Sequence, residues 1–213
     1  MQVALTEEQQ LLVETVRDMV DRAGRPSPRA GEAVAYDDGL WQALVESGLV
    51  GMRPVDGASA VEVALVVEQL AAGPVHAPYA GTVLGLELLS LVGAGDAVTS
   101  LAGAGRPAAP VVDPELAALA ATGLAWDGRP GGAAVALDGE SVLLGDAGDA
   151  TDAVDLTRDV CRVATSGARV GELDAMARTK WEAFALAVLS ADLVGAMHVT
   201  LLEAVEHTKS REQ

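Results

Sequence analysis

Apolar residues recur at helical intervals through the first hundred positions, and polar or small residues break that rhythm into five blocks. The first opens at Thr6, where Thr6 and Gln9 stand at capping-box spacing with Glu7 and Glu8 in the first turn. Leu12, Val16, Met19 and Val20 mark its buried face, and Gly24 with Pro26-Ser27-Pro28 ends it. A second helix starts at Asp37 or Asp38, turns Leu40, Trp41, Leu44 and Val45 inward, and stops at Gly48. Ser59 and Glu62 repeat the capping-box spacing ahead of Val63, Val67 and Leu70, and Gly73-Pro74 closes that third helix. Pro78-Tyr79 leads into a very apolar fourth, Val83 to Val92, and a short fifth runs from Asp96 to Gly103. Five helices with short connections predict a compact α-domain over residues 1–107.

The texture then changes. Residues 108–172 show short apolar runs separated by Gly, Asp and Pro, the pattern of strands and turns. Ala133 to Leu137 and Ser141 to Leu144 flank Asp138-Gly139, a strong hairpin signal. Pro110 to Val112, Leu124 to Trp126 and Val160 to Ala164 are further strand candidates, which together make a small β-domain.

Residues 173–213 read as one long helix. Between Trp181 and Val205 its apolar residues cover most of the circumference, as in a helix buried inside a bundle. At the α-helical rise it extends roughly 60 Å, and no comparable helix follows to cover it. Its cover is expected from a partner chain or from further sequence. The window Ala183 to Leu202 is also long enough to span a bilayer, but Asp192 at its centre and its many alanines argue against membrane insertion.

Composition narrows the function classes. Half of the residues are hydrophobic and only 3% aromatic, so Ala, Val and Leu must fill the core. The net charge of −17 excludes a nucleic-acid partner, whose phosphates call for a basic surface. Residues 1–157 carry 23 acids and 7 bases, whereas 158–213 carry 8 and 7, so an anionic cofactor would sit near the C-terminal third. Arg outnumbers Lys strongly, a bias typical of GC-rich bacterial coding sequence. A single cysteine, Cys161, allows no internal disulfide, and the polar segment after Met1 is not a secretory signal; both point to a cytoplasmic protein.

Most chemical motifs fail on context. Gly103 to Ala108 fits the letters of a dinucleotide fingerprint, but a helix precedes it and Pro107 interrupts it. Asp146, Asp149, Asp152 and Asp155 lack the alternate spacing and late Glu of a calcium loop and read as a solvated acidic loop. His76, His198 and His207 are scattered; His198, on an apolar helix, is expected to be a hydrogen-bonded core histidine. Arg211 stands out because a guanidinium can pair bidentately with a pyrophosphate.

The order of these features resembles the acyl-CoA dehydrogenase family. The resemblance is carried by Leu5-Thr6-Glu7-Glu8-Gln9, by Leu40-Trp41 through Gly51, by Val66-Val67-Glu68-Gln69-Leu70 with Pro78-Tyr79, and by Glu206-His207 through Gln213. It implies a mainly α fold with a small β-domain: a helical domain, a shortened β-domain and the start of a C-terminal helical bundle. It further implies FAD, an acyl-CoA substrate and α,β-dehydrogenation of its thioester. Arg211 and Gln213 match positions that lie near FAD, bound largely by a neighbouring subunit.

Departures from the family pattern matter equally. The Thr-Glu-Pro and Gly-Ser-Asp segment that lies against flavin and substrate has no counterpart, and Gly57-Ala58-Ser59-Ala60 replaces a Gly-Gly-x-Gly. Asp155-Leu156-Thr157-Arg158 resembles the later part of the family's β-domain, so its first half is the shortened part. In some members the catalytic base lies on the long helix at the position of Ala185; Glu182 is one turn earlier. No catalytic residue is therefore assigned to this chain. The expectation is a subunit completed by a homologous acyl-CoA dehydrogenase subunit, with a bulky or steroid side-chain acyl group as substrate class. The alternative is a non-catalytic structural partner.

Overall fold

The structure, a computed structural model, describes residues 4–24, 32–164 and 167–210. Helices α1 (Glu7–Ala23), α2 (Asp38–Glu46), α3 (Ala60–Ala71), α4 (Tyr79–Leu91) and α5 (Gly95–Gly103) precede strands β1 (Ala108–Val112), β2 (Gly123–Trp126), β3 (Ala133–Asp138), β4 (Ser141–Asp146), β5 (Ala150–Thr151), β6 (Val160–Val163) and β7 (Ala168–Glu172). The last element is the helix α6 (Ala175–Ser210).

The helix starts form as their sequences dictate. Thr6 and Gln9 close a reciprocal capping box, and Ser59 and Glu62 close another, satisfying amides that the helix leaves open. Gln9 Nε2 then donates to Glu62 Oε1 at 2.7 Å, so the two caps brace α1 against α3. Asp37 caps α2 through the Leu40 N–H at 2.9 Å. α1 ends at Gly24 as expected; the Pro26-Ser27-Pro28 stop lies outside the described residues.

The strands form one mixed sheet in the order β5-β6-β2-β1-β3-β4-β7. Only β1 and β3 run parallel; every other pair is antiparallel. In the β3–β4 hairpin Asp138 pairs with Ser141, so the two-residue turn is Gly139-Glu140 rather than Asp138-Gly139. Gly139 takes φ 62°, which suits a glycine at the first turn position. β5 and β7 were not expected from the sequence: β5 has two residues, and β7 has no fully buried position to give an apolar run.

Alternation along the strands divides the core. Ala108, Ala133, Val135, Leu137 and Val142 join the helical core, while Ala109, Val111, Ala134, Ala136, Leu143 and Cys161 form a second cluster. α4 lies directly on the sheet because it presents glycines four residues apart. A methyl group at Gly85 would stand 2.2 Å from the Ala108 carbonyl oxygen, and one at Gly81 would stand 2.6 Å from that of Asp127. That approach buries every residue of α4 from Tyr79 to Leu89.

α6 is buried along one side only. Trp181, Phe184, Ala185, Val188, Ala191 and Gly195 pack on α3 and α4, whereas Leu186, Leu193, Met197 and Leu201 are each at least 60% exposed. The expectation of a helix buried all round is therefore not met within this chain: even in the first half Leu186 and Leu189 are exposed. By length and composition α6 is apolar enough to cross a membrane. Its Asp192, however, is ion-paired to Arg158 and its Gly195 is seated against α3, contacts of a helix packed in a folded domain. His198 is exposed, which corrects the core-histidine expectation: the buried stripe of α6 has ended by that turn.

Candidate functional site

Two clefts flank α6. The larger, about 550 Å³, lies between the helix and the sheet. Leu84 of α4, Pro110 and Val112 of β1, Leu116 to Leu119 of the following loop, and Trp126 at the end of β2 form one wall. Trp181, Glu182, Ala185, Leu186 and Leu189 of α6 form the other. Trp181 is fixed by donating its indole N–H to the Leu84 carbonyl at 3.0 Å. Apart from Glu182 the lining carries no ionisable side chain, so the cleft suits an apolar chain. Glu182 itself is exposed, and Ala185 is buried.

The smaller cleft, about 320 Å³, lies between α3 and the second half of α6 and is more polar. Its centre is Arg158, whose side chain is 14% exposed. Arg158 Nη1 lies 3.3 Å from Asp127 Oδ2, Nε lies 3.0 Å from Asp155 Oδ2, and Nη2 is hydrogen-bonded to Asp192 Oδ1. The guanidinium carbon lies 5.0 Å from the Trp126 ring centroid. One arginine thus ties the end of β2, the loop before β6 and α6 together. Burial works against its charge, but the three carboxylates overcome this and raise its pKa. Asp155 shows the same balance with the shift in the other direction: burial resists ionisation, yet bonds from Thr157 and the Arg158 charge hold its carboxyl below the usual range. Asp155 is thus an ion-pair partner within an acidic loop whose aspartates are all exposed, as expected of a solvated loop.

Asp127 is the most unusual member. It is 1% exposed, takes φ 53°, and accepts the Gly81 N–H at 2.8 Å. Its Oδ1 has no hydrogen-bond partner among the described residues. Burial pushes its carboxyl up to about 6, against the pull of Arg158, the Gly81 amide and His76. His76 is buried with Nδ1 3.0 Å from the Val34 carbonyl and Nε2 3.6 Å from Asp159.

Sequence reasoning identified Glu182 and Ala185, and the structure places both on the apolar cleft. Arg211 and Gln213, the expected cofactor-binding residues, lie outside the described residues. The Asp127–Arg158–Asp192 cluster escaped it because its members are 31 to 65 positions apart. The available signals were Asp192, the one charge in the apolar window 183–202, and Arg158 in Asp155-Leu156-Thr157-Arg158, neither of which names a partner. Cys161 is buried in the sheet with its thiol pushed up to about 11, mainly by burial, which makes it inert. Gly103 ends a helix and Ala108 begins a strand, the reverse of a dinucleotide-binding turn. No group of three or more metal-ligating side chains occurs among the described residues.

Residues 6–96 match the family described as acyl-CoA dehydrogenase, N-terminal domain. Over that segment the chain is similar to the acyl-CoA dehydrogenases. The fold agrees over the full length. A chain of the ChsE4-ChsE5 complex from Mycobacterium tuberculosis superposes with TM-score 0.77 at 21% identity, covering 100% of this chain and 70% of that one. Butyryl-CoA dehydrogenase from Megasphaera elsdenii superposes with TM-score 0.72 at 16% identity, covering 100% of this chain and 72% of that one. No curated protein sequence matches the chain. Acyl-CoA dehydrogenases are generally FAD-dependent.

Proposed function

We propose that the chain is one subunit of a heteromeric, flavin-dependent acyl-CoA dehydrogenase and supplies an acyl-binding wall to a site that a homologous partner completes. The observation that carries this reading is the apolar cleft between sheet and α6, whose helical wall continues without a break into the uncovered Leu193, Met197 and Leu201. A cleft that opens onto an unpaired apolar helix is a half-site. The Mycobacterium tuberculosis neighbour is itself a complex of two named chains, which supports a paired arrangement.

The chemistry divides accordingly. Removing a weakly acidic α-proton needs a positioned carboxylate and a thioester carbonyl polarised by hydrogen bonds. By the family resemblance Ala185 matches the position where some members carry that base, and Glu182 is exposed, so the base is assigned to the partner. The described residues do not fit FAD by themselves: the cleft lining has no cation for a pyrophosphate and almost no polar side chain for a flavin edge. FAD is therefore assigned to the assembly, with Arg211 and Gln213 as this chain's contribution. A bulky acyl group, such as a steroid side chain, remains the substrate class by the family resemblance, and the reduced, buried Cys161 suits a cytoplasmic setting.

The second reading, a purely structural partner, is favoured by Ala185. Co-expression with a homologous subunit separates the two. Visible flavin absorbance that bleaches with acyl-CoA in the pair supports the dehydrogenase, whereas colourless protein, alone and paired, leaves the structural partner.

A further inference from the structure

The two clefts share no lining residue, and one ring contact links their linings. Trp126 lines the apolar cleft, Arg158 lines the polar one, and the guanidinium covers the indole at 5.0 Å. The sheet register creates this contact: Trp126 pairs with Val160 across β2 and β6, which brings Arg158 alongside the indole. Asp127, Asp155 and Asp192 then hold the guanidinium from three separate elements. A cation over an indole face is attractive in its own right and strengthens as water is excluded. The stack therefore cannot swing aside without breaking ion pairs to the sheet, the loop and α6 together.

We propose that the Trp126–Arg158 stack is a partition that separates the apolar cleft from the polar cleft and so limits the length of apolar chain the site accepts. Trp126 is the specificity-determining residue and Arg158 the positioning residue behind it. Removing the indole would join about 550 Å³ to about 320 Å³. That the chain is an acyl group rests on the function proposed above; the partition itself does not.

The test uses n-alkanols of increasing length displacing anilinonaphthalene sulfonate from the full-length protein. For the unmodified protein, affinity is expected to rise about fourfold per added methylene and then to level off. Trp126→Ala is expected to move that plateau to longer alkanols by several methylenes. Trp126→Phe, which keeps a ring in place, should leave it unmoved, and Arg158→Met should move it in the same direction as Trp126→Ala. If Trp126→Ala does not fold, Trp126→Leu replaces it. An unchanged plateau in the truncated variant, or no alkanol binding by the unmodified protein, overturns the partition. Acyl-CoA oxidation by the paired subunits is measured in parallel. A shifted alkanol plateau without any oxidation defeats the dehydrogenase reading and keeps the partition; oxidation with an unmoved plateau does the reverse.

Discussion

Gly195 of α6 faces the main chain of Glu68 on α3 so closely that a methyl group at Gly195 would stand 2.3 Å from the Glu68 carbonyl oxygen. Ala71 adds a second close neighbour, at 2.9 Å. The backbone, unlike a flexible side chain, cannot move aside locally, so α6 must lift to admit any side chain. Gly195→Ala is expected to destabilise the protein by about 1–3 kcal/mol, the usual cost of overpacking, and Gly195→Val by more. Denaturant unfolding measures this. An Ala variant as stable as the parent would show that α6 is not seated here.

Asp127 makes stability depend on pH. Its carboxyl titrates near 6 in the folded chain, and the ordinary value of an aspartate is about 3.9. Because the folded value is raised, the native state holds the proton more tightly than the unfolded state. The contribution to stability is therefore fully present below pH about 4 and is lost as pH rises through 6. About two pK units correspond to roughly 3 kcal/mol over that window. Asp127→Asn keeps an oxygen for the Gly81 amide but cannot ionise. The difference in stability between variant and parent, followed from pH 4 to about 7, should change in the variant's favour as the pH rises. A difference that stays flat across the window would show that Asp127 does not titrate there.

Much of this architecture was legible in the sequence because local signals and tertiary needs coincide. Thr6 with Gln9 and Ser59 with Glu62 announced helix starts by spacing alone, and both pairs form the expected bonds. The β3–β4 hairpin was visible for the same reason, although the turn sits one residue later than Asp138-Gly139 suggested. Residues whose roles come from distant partners were not legible. Nothing near Arg158 in the sequence indicates that Asp127 and Asp192 will meet it. His198 was misplaced because apolar residues on all sides of α6 implied burial on all sides, whereas the chain itself covers only one. Ala185 and Glu182 were singled out through the family resemblance and not by any local signal; both line the apolar cleft.

The Arg53–Glu87 pair is expected to matter more than most ion pairs. Arg53 Nε and Nη2 donate to both carboxylate oxygens of Glu87 at 2.9 Å, and Glu87 is 7% exposed at the side chain. The same guanidinium lies 4.7 Å from the Phe184 ring centroid, which ties α6 to the helical domain. Arg53→Ala would leave a buried carboxylate without its cation, at a cost of about 3 kcal/mol. Arg53→Ala with Glu87→Leu should recover much of that loss, because the uncompensated charge is gone. Thermal unfolding of the single and double variants decides it: equal losses in both would mean the pair's charges are not what is felt.

The exposed face of α6 tests the assembly separately from the fold. Leu193, Met197 and Leu201 are each at least 60% exposed, so a charge there stays in water in the isolated chain. Leu193→Glu with Leu201→Glu should therefore leave unfolding of the isolated protein within about 0.5 kcal/mol of the parent. In the proposed pair the same carboxylates would be buried against an apolar partner surface without a counter-ion, which is strongly unfavourable. Loss of co-purification with the homologous subunit, at unchanged stability of the isolated chain, is the expected outcome. A double variant that still assembles would place the partner on another surface and remove the half-site argument for α6.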